Sequence, residues 1–425
     1  DINKEKYLEI KARERFDFAK VLYAKGLYRA SLDMLQIVKD LAKEIDMIPL
    51  LHLALSFEKQ IESQHVTKSM SVKAYDLVKD ANSVLDNLLI TNELSNLSLL
   101  LYARYLEKGY VRNKDEYQEL HRYFYSLMPV VEEKSLDFYQ KIYLYQAYTW
   151  FYHMSQDFLN YYKYSQKWVN LFVSDSRMIG PGTILYLKGM HNLLNALFMA
   201  NKNEMFNKAY DQLCKFNEDE SLLLSVNEKG QLDLFRNVHG INSVFLNVTY
   251  ESAEPFIENV MDFIAEARID LSRMLTFYYK IACVYFGRGE FANSITFLNK
   301  ISVQYYPRLK IDIQGFTRVL GLIAHYELGN TALVSYMIKS VYRFLLNMGE
   351  MDQVHLEIFK FIRRTPKMTE DGVINQFTVL RDKLAIIEKD RYEKRPFLYL
   401  DIISWLDSKI NNISMVDAIK NRRKI

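Results

Sequence analysis

The sequence predicts an all-α fold arranged as an α-α superhelix: a solenoid of antiparallel helical hairpins closed by C-terminal capping helices. Three observations predict it. Only 7 prolines and 14 glycines occur in 425 residues, too few for the many turns of a β-sandwich or a doubly wound sheet. Apolar residues make up 49 % of the chain and recur at helical spacing nearly throughout, enough to bury a large core. One stretch of sequence is also echoed far downstream, as repeat architectures require.

The first pair of elements is legible directly. Phe16, Ala19, Val21, Leu22 and Tyr23 make an apolar stripe that stops at Gly26, and Leu32, Leu35, Ile37, Val38 and Leu41 make a second stripe after it. Two amphipathic helices joined by so short a turn form an αα-hairpin. The segment Gly26–Leu35 then reappears as Gly289–Leu298, in the pattern glycine-x-aromatic-x-x-serine-aliphatic-x-x-leucine. The glycine accepts the left-handed backbone that ends the first helix. The aromatic, Tyr28 or Phe291, plugs the seam. The serine, Ser31 or Ser294, is small enough for the second helix to approach the first, and Leu35 or Leu298 follows on the same face. Seven residues before each glycine stand Ala19 and Ala282, small residues where the first helix meets its partner.

This pattern resembles the tetratricopeptide repeat. The resemblance covers two hairpins, near residues 10–45 and 273–305, and a third match at Gly329 places Val334 where the small residue belongs. Hairpin-like turns also fall at Gln156–Asp157–Phe158 and Asn201–Glu204. Because a hairpin of this kind cannot bury both faces alone, the resemblance implies stacked neighbours and an extended surface for holding a protein or peptide.

Breaks are few. Ser174–Gly182, with Gly180–Pro181–Gly182 at its centre, is the clearest, Asn217–Glu220 is a polar connector, and Thr365–Pro366 ends a helix. They divide the chain into N-terminal hairpins over 1–179, continuous central and C-terminal hairpins over 180–365, and capping helices over 366–425. The short alternating stretch Val244–Tyr250 is the nearest thing to a strand. Phe397–Leu406 reads as an apolar capping helix with Pro396 at its first turn and Trp405 packed inside.

Several chemistries lack their signatures. No Walker loop occurs, since Gly287–Gly289 and Gly180–Gly182 lack the lysine and the preceding strand. There is no His-Glu-x-x-His helix, no Cys-x-x-Cys pair and no nucleophile elbow. His52, His153, His191 and His325 stand singly in apolar helical settings and read as hydrogen-bonded structural histidines. The sequence therefore predicts no enzyme, no cofactor and no metal. A net charge of +3 is too small for a nucleic-acid binder, and no apolar run is long enough to span a membrane. The two cysteines, Cys214 and Cys283, fit a reducing cytoplasm. The chain begins at Asp1 and not at methionine, which leaves room for an upstream signal. Its richness in Tyr, Asn, Lys and Ile suggests a bacterial source.

Three regions carry binding potential. Fourteen of the 35 residues from Phe138 to Phe172 are aromatic, and Tyr145, Tyr152 and Tyr162 are expected to line part of a concave groove, since Tyr and Trp anchor interfaces. An acidic stripe, Glu251, Glu254, Glu258, Asp262, Glu266 and Asp270, lies along one side of a helix. It reads as a solvated face or, more sharply, as a docking surface for a basic segment centred on Glu258, Asp262 and Glu266. The C-terminal end is basic, with 15 Lys or Arg against 9 Asp or Glu from Lys360 onward, including Arg391, Lys394, Arg395, Arg422, Arg423 and Lys424. The expected function is a non-enzymatic scaffold binding an unidentified protein or peptide. The alternative is a peptide-sensing regulator whose DNA-binding domain is not in this chain. Oligomeric state is left open.

Overall fold

A computed structural model of the chain describes residues 2–64, 70–216, 218, 223–266, 269–302, 311–349, 351–364, 370–393, 395–397 and 399–423. Among these residues there are α-helices and short 3-10 turns, and no strand. No helix among them is long and apolar enough to cross a membrane. The chain forms two compact units, residues 1–196 with 212–231 and residues 197–211 with 232–425. The first holds α1 (Ile2–Ala24), α2 (Tyr28–Glu44), α3 (Ile48–Gln64), α4 (Met70–Lys108), α5 (Lys114–Leu127), α6 (Phe138–Met154) and α7 (Phe158–Ser174). The division passes through α8 (Thr183–Met199), α9 (Asn203–Lys215) and α10 (Val226–Asn247). The second unit continues with α11 (Glu254–Glu266), α12 (Leu271–Gly287), α13 (Phe291–Ser302), α14 (Ile311–Glu327), α15 (Thr331–Met348), α16 (Gln353–Arg364), α17 (Glu370–Ile387), α18 (Ile402–Asn411) and α19 (Met415–Arg423). The Val244–Tyr250 stretch is helical as far as Asn247.

Each unit contains one copy of the echoed hairpin, and the two copies agree atom by atom. Ser31 Oγ donates to the Ala19 carbonyl at 2.8 Å, and Ser294 Oγ donates to the Ala282 carbonyl at 2.8 Å. Both serines and both alanines are fully buried. Beyond the steric role its small size implies, the serine's hydroxyl ties the two helices together, satisfying a polar group at the point of closest approach. Tyr28 packs on Tyr23 with ring centroids 5.5 Å apart, and Phe291 packs on Phe286 at 5.1 Å. Gly26 (φ 76°) and Gly289 (φ 79°) take left-handed backbone, and the following amides, Leu27 and Glu290, reach back to the Leu22 and Tyr285 carbonyls. That is the closure that satisfies the last carbonyls of a helix.

The same closure recurs where the consensus has decayed. Asn330 N–H bonds the His325 carbonyl after Gly329, Asp157 N–H bonds Tyr152 after Gln156, and Lys202 N–H bonds Leu197 after Asn201. Gln156 (φ 57°) and Asn201 (φ 54°) adopt the left-handed conformation without being glycine. At the serine position these hairpins carry Tyr161, Phe206 and Val334, all buried, so the backbone device outlasts the side-chain one.

Gly180–Pro181–Gly182 lies inside the first unit and is packed: a Cβ on Gly182 would lie 2.8 Å from the Met178 carbonyl and 3.0 Å from the Phe172 ring. The expected break at Thr365–Pro366 lies outside the described residues, as does the Asn217–Glu220 connector apart from Glu218. The helix carrying Trp405 starts later than the sequence suggested. Pro396 sits in a 3-10 turn, and α18 opens after Asp401, whose carboxylate accepts the Ser404 amide at 3.0 Å. An aspartate cap at that position outweighs a proline five residues earlier. Trp405 is 1 % exposed. Its ring meets Phe286 of α12 and Phe377 of α17, and its indole N–H donates to Glu327 of α14 at 2.7 Å.

Candidate functional site

The aromatic region is built on α6 and α7. A reciprocal cap starts α6: Asp137 Oδ1 accepts the Gln140 amide at 2.8 Å while Gln140 Oε1 accepts the Asp137 amide at 3.1 Å. The Gln140 side-chain amide also donates to the Asn87 carbonyl of α4 at 3.0 Å, fixing α6 on that helix. One turn apart on α6, Tyr148 and Tyr152 lie nearly parallel to Tyr164 of α7, with centroids 4.3 and 5.5 Å from it. Tyr145 is buried at 5 % exposure and donates its hydroxyl to Glu133 at 2.7 Å. Lys167 holds the same carboxylate at 2.7 Å. Burial pushes the phenols up, Tyr148 to about 12 and Tyr145 and Tyr152 further, so they serve as neutral donors near neutral pH.

Of the three tyrosines expected to share a groove, Tyr145 is internal and Tyr152 is half-buried in the ring stack. Tyr162 is half-buried two residues from Tyr164, about 160° away around α7. Tyr148 and Tyr164 join Tyr145 and Tyr152 in one cluster, and Tyr162 stands apart. The spacing of four between Tyr148 and Tyr152 was a usable signal for the stack. The part played by Tyr164 and Glu133 was not visible, because both come from other elements.

A second arrangement in the same unit escaped the sequence altogether. A pocket of about 280 Å³ is lined by Glu9 of α1, Asp46 and Met47 at the α2–α3 turn, Leu88 of α4, Asp137 at the cap of α6, and Tyr139 and Tyr143 of α6. Asp46 sits in left-handed backbone (φ 53°) that ends α2. Burial raises its carboxyl above the ordinary value, and repulsion from Asp137 and Asp175 adds to this, while Arg177 opposes it. Arg177 is itself clamped by both oxygens of Asp175 at 2.8 Å. Tyr139 is pushed up to about 12, by burial first and then by Glu9 and Asp46. Carboxylates and two tyrosines around one cavity suit an organic cation. Among the described residues no group of three or more His, Cys, Asp or Glu is placed to hold a metal ion.

The acidic stripe divides in the second unit. Glu254 accepts from Arg288 at 2.8 Å and from the Tyr285 hydroxyl at 3.1 Å, which holds its carboxyl below the ordinary range. Asp270 caps α12 through the Arg273 amide at 3.0 Å. Glu258, Asp262 and Glu266 are exposed on α11. The basic end is engaged within the unit: Arg422 pairs with Glu388 and Asp401, and Arg423 donates to the Phe245 and Leu246 carbonyls at 3.0 and 3.2 Å, closing the last turn of α10. Lys394 and Lys424 lie outside the described residues. A cleft of about 420 Å³ lies between the α12–α13 turn and α18–α19, and its cations are held by carboxylates, Arg288 by Glu254 and Lys409 by Glu327. Three of the four singled-out histidines are hydrogen-bonded, His153 to Tyr110, His191 to Asn195 and His325 to Asn330. Buried His52 Nδ1 has no such partner. Cys283 is fully buried, which pushes its thiol well up and leaves it unreactive. Comparison of the chain with family models, with curated proteins and with solved structures finds no match.

Proposed function

We propose that this chain is a non-enzymatic scaffold of the TPR-like solenoid type that binds a protein or peptide, and that the pocket around Asp46 receives a basic side chain of that partner. The observation that carries the reading is the composition of the pocket: the carboxylates of Glu9, Asp46 and Asp137 stand with Tyr139 and Tyr143 around one cavity of about 280 Å³. A guanidinium or ammonium placed there would relieve the repulsion that burdens Asp46 and meet the two tyrosine side chains. The repeated hairpin, present once in each unit with the same buried serine hydrogen bond, supports the scaffold assignment by analogy of fold.

The test is fluorescence polarisation of the full chain against a panel of labelled peptides that differ only by Arg, Lys or Ala at one position. Arg- or Lys-containing peptides should bind more tightly than the Ala series. Added salt should narrow the gap, and Asp46→Asn with Tyr143→Ala should abolish it. A panel bound without regard to charge, or bound equally by the double variant, overturns the pocket assignment.

A further inference from the structure

The longest helix of the first unit, α4, carries an exposed seam with a second periodicity. Ten positions, Tyr75, Val78, Asn82, Leu85, Leu89, Asn92, Asn96, Leu99, Ala103 and Leu106, follow one another at alternating spacings of three and four, and all ten are exposed. The large apolar members are strongly so: Tyr75 84 %, Val78 52 %, Leu85 53 %, Leu89 56 %, Leu99 65 % and Leu106 65 %. None of the ten is charged. The opposite face supplies core contacts through Leu94, Leu97 and Leu101, and Ala81, beside the seam, is also buried. A spacing of 3.5 residues is the repeat of a coiled-coil seam, and an exposed apolar stripe of this length calls for a partner helix.

We infer that α4 pairs with α4 of a second copy of this chain, parallel and in register, as a two-stranded coiled coil. The asparagines select this occupant and this register. In parallel alignment Asn82, Asn92 and Asn96 each meet themselves, and every leucine of the seam meets a leucine. A slip of one heptad puts Asn82 against Leu89 and Asn92 against Leu85 or Leu99. Full-length antiparallel pairing puts Asn82 against Leu99, Asn92 against Leu89 and Asn96 against Leu85, and antiparallel registers one heptad to either side match two asparagines but still set Asn82 against Leu106 or Asn96 against Val78. Either alternative strands amides against apolar side chains, which is how buried asparagines fix register.

The flanks agree. The residues just before the first seam position of each heptad, Ala74, Ala81, Leu88, Ser95 and Tyr102, carry no charge. Those just after the second, Lys79, Asp86, Glu93, Leu100 and Glu107, include three acids. Parallel pairing sets the acidic flank of each copy beside the uncharged flank of the other. Antiparallel pairing brings Asp86 and Glu93 against the acids of the second helix. From Tyr75 to Leu106 the seam runs about 46 Å at 1.5 Å per residue, and with a helix width of about 10 Å it gives a footprint of roughly 460 Å² per copy. Two copies together approach the roughly 1,000 Å² of a specific interface, and with three polar layers the dimer should dissociate in the micromolar range.

The experiment is light scattering coupled to size exclusion on the full chain across micromolar concentrations. A concentration-dependent monomer–dimer equilibrium is expected. Leu85→Glu and Leu89→Glu should each raise its dissociation constant by more than about tenfold while leaving the circular dichroism spectrum, and the melting midpoint measured at concentrations where the wild type is monomeric, unchanged, since both positions are exposed. In a Cys214→Ser background, Leu99→Cys and Val78→Cys should each form a disulfide-linked dimer under mild oxidation, because parallel pairing brings each residue to its own copy. A chain that stays monomeric throughout overturns the proposal. So does a dimer indifferent to Leu85→Glu and Leu89→Glu, a dimer in which neither cysteine variant cross-links, or a monomer that retains a different protein through these leucines.

Discussion

Replacing Trp405 by alanine removes the largest fully buried side chain of the second unit and tests how firmly α18 is seated. The indole contributes through two channels. Its ring fills space against Phe286 and Phe377 at centroid separations of 6.5 and 5.9 Å, and truncation of such a side chain costs about 3–5 kcal/mol in lost burial and cavity. Its N–H donates at 2.7 Å to Glu327, a side chain only 5 % exposed that also holds Lys409. Losing a hydrogen bond to a charged group costs about 1.5–3 kcal/mol. The two are not additive, because water entering the cavity can solvate the carboxylate. We therefore expect a loss of about 4 kcal/mol for Trp405→Ala and about 2 kcal/mol for Trp405→Phe, which keeps most of the ring but not the donor. In a unit of this size the alanine variant should melt roughly 10 °C lower. Thermal and urea unfolding followed by circular dichroism measures both. A midpoint within about 2 °C of wild type for Trp405→Ala would refute the packing described for α18.

Ser31→Ala and Ser294→Ala should each cost about 1 kcal/mol by urea denaturation, and Ser→Val at either position more, about 1–3 kcal/mol, by forcing the helices apart; unequal behaviour of the two positions would contradict their equivalence. Gly287→Ala places a Cβ 2.7 Å from the Tyr250 ring, and the Tyr250 carbonyl is held by Arg288 Nε at 2.6 Å, so a loss of about 1–3 kcal/mol is expected, with part of it recovered when Tyr250→Ala is added. Asp46 has a native carboxyl value raised above the ordinary 3.8, so its charge burdens the folded state. The burden is absent below the unfolded value, grows as pH rises through the native value and is complete above it. Asp46→Asn should thus raise the melting midpoint at neutral pH and have no such effect in strong acid, and asparagine also tolerates the left-handed backbone there. A midpoint shift that is the same at all pH values would dismiss the electrostatic account.

Much of the helical hairpin layout was readable because its devices are local. Gly26 and Gly289 announce left-handed turns, and Ala19–Ser31 and Ala282–Ser294 announce close contacts, all within a span of twelve residues. Gln156 and Asn201 make the same turn with residues that carry no glycine signature, so only their polar surroundings hinted at it. The Asp46 pocket was illegible for a different reason: its residues come from α1 (Glu9), the α2–α3 turn (Asp46) and the start of α6 (Asp137, Tyr143), and nothing in one sequence brings them together. The seam on α4 is written plainly in its spacing, yet an apolar stripe is ordinarily assigned to the core. Only the exposure of Leu85, Leu89 and Leu99 reverses that assignment. The acidic stripe shows the opposite error of scale. Regular spacing made six residues look like one surface, while Glu254 and Asp270 are occupied by Arg288 and by the start of α12.

The contacts made by Arg423 have a bearing on how the polypeptide matures during synthesis. This guanidinium seals carbonyls 178 and 177 residues upstream, and Trp405 reaches 78 residues back to Glu327. A ribosome delivers α10 to α17 long before either group emerges, so the nascent second unit must wait with the Glu327 carboxylate and the last turn of α10 open to solvent. Products terminated ahead of α18 would keep that half-finished surface and become preferred clients for chaperones and proteases.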